Sequence, residues 1–133
     1  MPYAYPQKVI FKYCDPAGIV FYPRYFEMVN DATEALFSDA FGCPWEVLHE
    51  TGNIPTVEIT ARFTAPSRHG DHLVIGIEVT KLGRTSLGLA FHARSGDETR
   101  FRAQSTLVHV GKDGRPAPWP EPLRAAITQF MEE

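Results

Sequence analysis

Residues 13–25, YCDPAGIVFYPRY, combine the residue types of a small catalytic site. Asp15 is the one acid in this segment, and neither a histidine nor a serine lies beside it. The proline that follows and Gly18 predict a tight turn around the carboxylate. Pro23 fits the first turn of a helix, because its missing N–H would have had no partner there. The backbone amide of Tyr22 is therefore expected at a helix N-terminus, where an unpaired N–H and the helix dipole can stabilise a developing negative charge.

A carboxylate and a single oxyanion donor suit the cleavage of a thioester better than that of an amide. An amide needs a general acid, because an amine anion cannot leave, whereas a thiol has a pKa of about 8.5 and leaves as the thiolate. Asp15 can then attack the carbonyl carbon to form an anhydride, or it can activate a water molecule. The residues alone leave this choice open.

Two hydrophobic periodicities predict the elements that position this segment. Apolar residues recur every three or four positions from Pro23 to about Phe41, which predicts a long helix with one apolar face. After Gly52 the period changes to two, which predicts antiparallel strands with one buried face. The predicted strands cover about residues 57–64, 73–80, 87–94 and 100–110, with an earlier strand at 8–13 and short helices at 44–49 and 121–131. Four strands joined by short turns predict a meander that wraps around the helix, an α+β domain.

Length and composition limit the classes of function. The 133 residues predict one domain, residues 1–133. A net charge of −3 argues against a general nucleic-acid binder. The apolar stretches are too short to span a membrane and the N-terminus lacks the pattern of a signal peptide, so we expect a cytoplasmic protein. The string His69-Gly-Asp-His72 fits a polar turn better than a metal site, and we expect no metal and no other cofactor.

The segment from Asp15 to Pro23, with Tyr25 beyond it, resembles the active-site loop of the 4-hydroxybenzoyl-CoA thioesterase family, in which Asp-Pro-Ala-Gly-Ile-Val is followed by an aromatic residue and Tyr-Pro. The order of strand, long helix and four strands over residues 8–110 is similar to the hotdog fold of that family. The resemblance implies hydrolysis of an acyl-CoA thioester, with Asp15 as nucleophile or general base and the Tyr22 N–H polarising the carbonyl. It also implies a homodimer or homotetramer with sites at subunit interfaces.

The resemblance further implies which residues bind the substrate. Asn30 stands where the 4-hydroxybenzoyl enzyme has an acidic side chain that contacts the substrate hydroxyl, so the reaction is carried over and the acyl group is left open. Arg84, with Lys81 and Ser86, lies where the family has a basic loop that contacts the phosphates of CoA. Gly18, in the turn of Asp15, completes the substrate-binding set. Coenzyme A is then part of the substrate and not a cofactor.

Three other functions are compatible with parts of this pattern. A thioesterase acting on an acyl carrier protein would need an electropositive docking surface, which the net charge of −3 disfavours. A dehydratase or hydratase of the same fold would pair an acid with a nearby histidine, and no such pair stands out in the sequence. A non-catalytic module that binds acyl-CoA would not need the carboxylate of Asp15.

Overall fold

The structure is a computed structural model that describes residues 3–133, so that the first two residues of the predicted domain lie outside the described residues. The helices are α1 (Pro23–Asp39), α2 (Trp45–Leu48) and α3 (Glu121–Glu132), and Phe11–Tyr13 form a 3₁₀ turn. The strands are β1 (Tyr3–Lys8), β2 (Gly52–Asn53), β3 (Thr56–Phe63), β4 (His72–Leu82), β5 (Ser86–Ser95), β6 (Glu98–Val108) and β7 (Val110–Gly111). The long helix and the four long strands after it lie where the sequence predicts them.

Five antiparallel strands form one sheet in the order β1-β4-β5-β6-β3, and β2 pairs separately with β7. β4, β5 and β6 form the predicted meander. β3 does not belong to it, because β3 pairs with β6 at the far edge of the sheet. The prediction of a four-strand meander is therefore wrong for β3, since the alternation within a strand does not specify its neighbour. Residues 64–71, called the crossover here, pass the ends of β6 and β5 to connect β3 with β4.

α1 packs its apolar stripe against one face of the sheet. Pro23 occupies its first turn, and Gly42, at φ +63°, allows the chain to turn away after its end. The core that α1 and the sheet share contains the largest buried side chains, among them Met28, Leu36, Phe37, Ile75, Ile77, Leu89, Phe91 and Phe101. This confirms the predicted α+β architecture, in which a curved antiparallel sheet wraps around one long helix, as in a hotdog fold.

The first strand lies earlier in the chain than predicted. The alternation of residues 8–13 predicted a strand, but β1 is Tyr3–Lys8, and residues 11–13 form the 3₁₀ turn. The reason lies in the partner strand, because β1 pairs with β4 and the pair Lys8–His72 already includes the first residue of β4. Beyond Lys8 the chain bonds to the crossover, with the Val9 N–H donating to Asp71 O and the Gly70 N–H to Val9 O, each at 2.8 Å. Val9 is buried there, and Tyr13 is buried from the 3₁₀ turn.

β3 is the second departure from the predicted burial. The alternation of Val57, Ile59 and Phe63 predicted a buried face, yet every residue of β3 is exposed in the single chain. β3 is the edge strand next to β6, and its outer edge has no strand beside it among the described residues. An exposed apolar edge strand is a template for pairing with another chain.

The C-terminal segment packs against the end of β4. Leu123 and Ile127 of α3 are buried, and Phe130 contacts Phe41 edge-on at 5.6 Å between ring centroids. The predicted last helix is thereby confirmed. Among residues 3–133, no helix combines the length and the apolar character needed to cross a membrane.

Candidate active site

The Asp15 turn is a small hairpin that precedes α1. Three hydrogen bonds define the turn: Asp15 N–H to Ile19 O, Gly18 N–H to Asp15 O, and Ala17 N–H to Asp15 Oδ1, each at 2.9 Å. Gly18 has a φ of +80°, a conformation that a residue with a Cβ rarely adopts. The carboxylate is half-buried, and its second oxygen, Oδ2, has no hydrogen-bond partner within the described chain. One oxygen thus fixes the side chain while the other is available for chemistry.

Tyr22 supplies the available N–H at the start of α1. The Arg24 N–H donates to Phe21 O at 2.8 Å and the Tyr25 N–H to Tyr22 O at 3.1 Å, while Pro23 has no N–H. In the part of the chain that the structure describes, the Tyr22 N–H has no hydrogen-bond partner. An amide in this position can donate to a carbonyl oxygen as negative charge develops on it.

The hairpin connects the two groups. Its strands are paired through Phe21 N–H to Tyr13 O at 2.9 Å and through the bridge between Cys14 and Val20. Tyr22 follows the second strand of the hairpin directly, and Asp15 ends the first. The carboxylate and the unpaired amide therefore belong to one compact unit, as the sequence predicts.

A cavity of about 210 Å³ begins one helical turn beyond Tyr22, between α1 and the strands β3 and β6. Asn30 is exposed and lies on the wall of this cavity. It comes eight residues after Tyr22, which corresponds to about 12 Å along a helix. The wall is otherwise mostly apolar and aromatic, with Phe26, Val29, Thr33, Trp45, Ile54, Thr56, Ile59, Ser105 and Leu107. Its volume lies below the roughly 300–1,000 Å³ of sites for drug-sized ligands, which suits a compact acyl group.

Ser105 is a candidate site residue that the sequence analysis missed. It lies on the inner face of β6 between Ala103 and Leu107, it is 8% exposed, and it lines the cavity. Its hydroxyl forms no hydrogen bond within the described residues. A hydroxyl on the cavity wall that has no partner in the chain can donate or accept a hydrogen bond to a ligand. The available signal was the interruption of the apolar alternation at position 105.

Lys81, Arg84 and Ser86 lie at the turn between β4 and β5. The turn is closed by Gly83 N–H to Ser86 O at 2.9 Å, and the C-terminal segment holds it through Trp119 Nε1–H to Ser86 O at 3.0 Å. The Lys81 and Arg84 side chains are exposed, and neither forms an ion pair with a described residue. The turn therefore offers two unpaired cations on a fixed backbone.

The structure does not bring this basic turn near Asp15 in the same chain. The Asp15 turn adjoins the crossover, just before β4 begins, through the bridge between Ile19 and Arg68. Arg84 follows the end of β4, which has 11 residues and therefore rises roughly 35 Å along its path. Asp15, Gly18 and Tyr22 belong to the hairpin and the start of α1, Asn30 lies about two turns further along that helix, and the basic turn lies apart from them.

Residues 69–71 of the HGDH string belong to the crossover, and His72 begins β4. Asp71 Oδ2 accepts hydrogen bonds from Arg100 Nη1 at 2.7 Å and from the Arg68 N–H at 2.9 Å. These bonds lower the pKa of the Asp71 carboxyl, Arg100 being the larger cause. In residues 3–133, no three His, Cys, Asp or Glu side chains are grouped as metal ligands would be. The string is a structural turn, as the sequence analysis favours.

Comparison with known proteins gives consistent matches over nearly the whole chain. The family model of the Thioesterase-like superfamily matches residues 9–127. The 1,4-dihydroxy-2-naphthoyl-CoA hydrolase of Synechocystis sp. is 22% identical over 130 residues, which cover 94% of each chain. The solved structure of a gentisyl-coenzyme A thioesterase is 28% identical, with a TM-score of 0.85 over 94% of this chain and 99% of that one. The 4-hydroxybenzoyl CoA thioesterase from Pseudomonas sp. strain CBS-3 is 25% identical, with a TM-score of 0.83 over 94% and 98% of the two chains.

The span matched by the family model contains the Asp15 turn, α1, the crossover and four of the five strands of the main sheet. This agreement confirms the resemblance inferred from the Asp15–Pro23 motif, and it confirms the predicted class of enzyme, a thioester hydrolase. The fold, the motif and the family model lead to one conclusion: the chain belongs to the Thioesterase-like superfamily.

Proposed function

We propose that this protein hydrolyses the thioester of an acyl-CoA whose acyl group is compact and aromatic, releasing the free acid and CoA. The observation that carries the proposal is the Asp15 turn, which holds a carboxylate oxygen and the Tyr22 N–H, both without partners in the described chain, and which leads into the helix whose next turns line a cavity of about 210 Å³. The relatives support the substrate class, because each is named for a CoA thioester.

The Tyr22 N–H donates to the thioester oxygen and stabilises the charge that develops there when the carbonyl carbon is attacked. In one route Asp15 Oδ2 is the attacking atom, the C–S bond breaks to give CoA thiolate and an anhydride, and water then cleaves the anhydride. In the other route Asp15 takes a proton from water, and the resulting hydroxide displaces the thiolate. Both routes consume one water molecule and need no acid for the leaving group.

The acyl group lies in the cavity, with its ring between Phe26 of α1, Trp45 of α2 and the inner face of β6. Asn30 and Ser105 place an amide and a hydroxyl on an otherwise largely apolar wall. These groups favour an acyl group that carries a hydrogen-bonding substituent, such as a ring hydroxyl. The names of two relatives, 4-hydroxybenzoyl CoA thioesterase and 1,4-dihydroxy-2-naphthoyl-CoA hydrolase, describe acyl groups of this type.

The nucleotide end of CoA binds the basic turn, where Arg84 is the main phosphate contact and Lys81 and Ser86 add weaker ones. Since this turn and Asp15 lie at opposite ends of β4, the two halves of the site come from different chains. The second chain is another copy of this protein, which pairs with the first through the exposed edge of β3.

The sequence of β3 is complementary to itself in an antiparallel pairing centred on Thr60. Glu58 and Arg62 lie two residues on either side of Thr60 and on the same face of the strand. In this register Arg62 lies opposite Glu58 of the partner subunit, and opposite charges across a strand pair favour the pairing. The exposed apolar residues Ile59 and Phe63 lie on the other face and are covered together, while Val57 lies at the β-bulge between Thr56 and Glu58.

This pairing also brings the basic turn of the partner to Asp15. Thr56, Leu107, Leu87 and Leu82 follow one another across the sheet, so the basic turn lies at the Thr56 end of β3. The Asp15 hairpin lies at the Phe63 end, where the Tyr22 and Phe63 rings are 6.0 Å apart. In an antiparallel pair of β3 strands, the Thr56 end of one strand lies beside the Phe63 end of the other. The proposed assembly is thus a homodimer with two shared sites, which can stack through the outer sheet face into a homotetramer.

The function is tested by measuring thiol release from a panel of thioesters by the wild-type protein. The panel contains 4-hydroxybenzoyl-, benzoyl-, phenylacetyl-, short-chain and long-chain acyl-CoA, and an acyl carrier protein charged with the same groups. We expect the highest kcat/KM with the hydroxylated aromatic ester of CoA. Turnover of the carrier-protein esters alone would assign the other substrate class, and binding without turnover of any ester would contradict the proposal.

A further inference from the structure

The crossover lies along one side of the catalytic hairpin and is hydrogen-bonded to it. The Val20 N–H donates to Ser67 O at 2.8 Å, and the His69 N–H donates to Gly18 O at 3.2 Å. Ile19 and Arg68 form a bridge between these two bonds. The second strand of the Asp15 hairpin is therefore held on its outer side by three successive residues of the crossover.

Arg100 of β6 holds the crossover in turn. Its Nη1 donates to Asp71 Oδ2 at 2.7 Å, to Ser67 Oγ at 3.2 Å and to Pro66 O at 3.2 Å. The Arg100 side chain is 12% exposed and Ser67 is fully buried. Asp71 Oδ2 also accepts the Arg68 N–H at 2.9 Å, which curls the crossover around the carboxylate. The ion pair is thus bonded to the residues that bond the hairpin.

We propose that Arg100 and Asp71 are positioning residues for catalysis, which act through the crossover to set the location of Asp15 and of the Tyr22 amide. This inference rests on the proposed function. Neither side chain belongs to the hairpin, and the chain of contacts runs from Arg100 to Asp71 and Ser67, from there to Val20 and Gly18, and then to the catalytic turn. Without the Arg100–Asp71 ion pair, Asp15 and the Tyr22 amide are still present, but their positions are less well fixed.

Glu98 provides a matched control, because it is the other carboxylate beside Arg100. Glu98 Oε1 lies 2.7 Å from Arg100 Nε and forms a second ion pair with the guanidinium. Its side chain is 61% exposed and lies at the start of β6, and it forms no hydrogen bond with the crossover among the described residues. Glu98→Gln therefore removes one negative charge beside Arg100, as Asp71→Asn does, but it leaves the hydrogen bonds to residues 64–71 in place.

The test compares Asp71→Asn with Glu98→Gln at a temperature at which circular dichroism shows both to be folded. With the preferred CoA ester, Asp71→Asn should lower kcat about 10- to 100-fold, as a small misplacement of catalytic groups does, while KM changes less than about threefold. Glu98→Gln should leave both values near those of wild type. A role in stability alone would lower the melting temperature and leave kcat of the folded enzyme unchanged, which would overturn the proposal.

Amide hydrogen exchange reports on the anchor without using catalysis. In Asp71→Asn, exchange at the Val20 and His69 amides should be at least about 10-fold faster than in wild type, with no change in Glu98→Gln. Unchanged exchange in Asp71→Asn would overturn the proposal, and so would faster exchange with an unchanged kcat. A wild type that cleaves no ester would refute the proposed function instead, and the exchange result would still show whether the pair fixes the hairpin.

If Asp71→Asn does not fold, Ser67→Ala, which removes one contact of Arg100 and no charge, gives the same two measurements.

Discussion

Asp15 uses its two carboxylate oxygens differently. Oδ1 accepts the Ala17 N–H at 2.9 Å and thereby fixes the side chain, while Oδ2 has no partner in the described chain. At the start of α1 the situation is similar. Pro23 has no N–H and the Arg24 and Tyr25 amides are already bonded, so the Tyr22 N–H is left without a partner in the described chain. One acceptor and one donor are thus left without partners on one hairpin and the helix start that follows it, and these are the two kinds of group that a thioester carbonyl requires.

At the residue scale, Ser105 should contribute to selectivity for the acyl group. Ser105→Ala removes the hydroxyl that a ring substituent would bond, so the ratio of kcat/KM for 4-hydroxybenzoyl-CoA to that for benzoyl-CoA should fall about 3- to 10-fold, the value of one neutral hydrogen bond. Thr106→Ala, its neighbour on the outer face of β6, is the control and should leave the ratio unchanged. An unaltered ratio in Ser105→Ala would exclude contact with the substituent.

The sequence predicts the residues of the hairpin and of the helix face but not the whole site. Asp15 and Tyr22 lie within one continuous segment, so local turn and helix rules were sufficient to predict their surroundings, whereas Asn30 was assigned through the family resemblance. Ser105 is remote in sequence, and only pairing across the sheet brings it to the cavity. The separation of Arg84 from Asp15 depends on which strands are neighbours, which residue types do not encode.

At the scale of elements, the catalytic hairpin depends on a glycine conformation that can be tested with a matched pair. Gly18 and Gly114 both have a φ of +80°, and a Cβ on either would meet no atom within 4 Å. Each change to alanine should therefore cost only the backbone strain, about 1 kcal/mol, and lower the melting temperature by a similar few degrees. Only Gly18→Ala should also lower kcat, by roughly 10-fold, because only that turn carries Asp15. Equal kcat values for the two variants would contradict the role of the turn.

The crossover should give the fold a dependence on pH at the acidic end. Bonds from Arg100 and from the Arg68 N–H lower the pKa of Asp71 below its unfolded value of about 3.9. A group with a lowered folded pKa contributes stability above the unfolded pKa and loses it as the pH falls through the folded one. The free energy of unfolding in urea should therefore favour wild type over Asp71→Asn by a constant amount above about pH 5, and by less below about pH 4. A difference that stayed constant down to pH 2 would contradict a lowered pKa for Asp71 in the folded protein.

The predictions of the strands succeeded where a strand has neighbours on both sides. β4, β5 and β6 bury the residues that their alternation predicts, because each lies inside the sheet. β1 and β3 are the edge strands, and both departed from the prediction, in position for β1 and in burial for β3. An alternating pattern indicates that a face will be covered, but it does not specify whether the same chain covers it.

At the scale of the whole molecule, the exposed edge of β3 and the distance between Arg84 and Asp15 have the same explanation. Pairing of two copies through β3 covers the apolar residues of this strand and joins the two halves of the site. The single-domain extent 1–133 and the cytoplasmic location stay predictions. The shared site, in contrast, has a consequence that can be measured in mixed dimers.

Mixing Asp15→Asn with Arg84→Ala should restore activity that neither variant has alone at low substrate concentration. In a mixed dimer, one site carries both substitutions and the other carries neither. After random exchange of subunits, about half of the dimers are mixed and each has one complete site, so roughly a quarter of wild-type activity should return. An activity equal to the average of the two separate variants would show that both groups act within one chain.

The central claim is that Asp15 performs the cleavage of a CoA thioester. The most direct measurement is kcat of Asp15→Asn with the best ester of the panel, beside Asp113→Asn, whose carboxylate accepts the N–H two residues later at 3.0 Å in the same way. The account predicts a loss of about 10²- to 10⁴-fold for Asp15→Asn with a Kd for the ester near that of wild type, and no loss for Asp113→Asn. A kcat for Asp15→Asn within a few fold of wild type would contradict it.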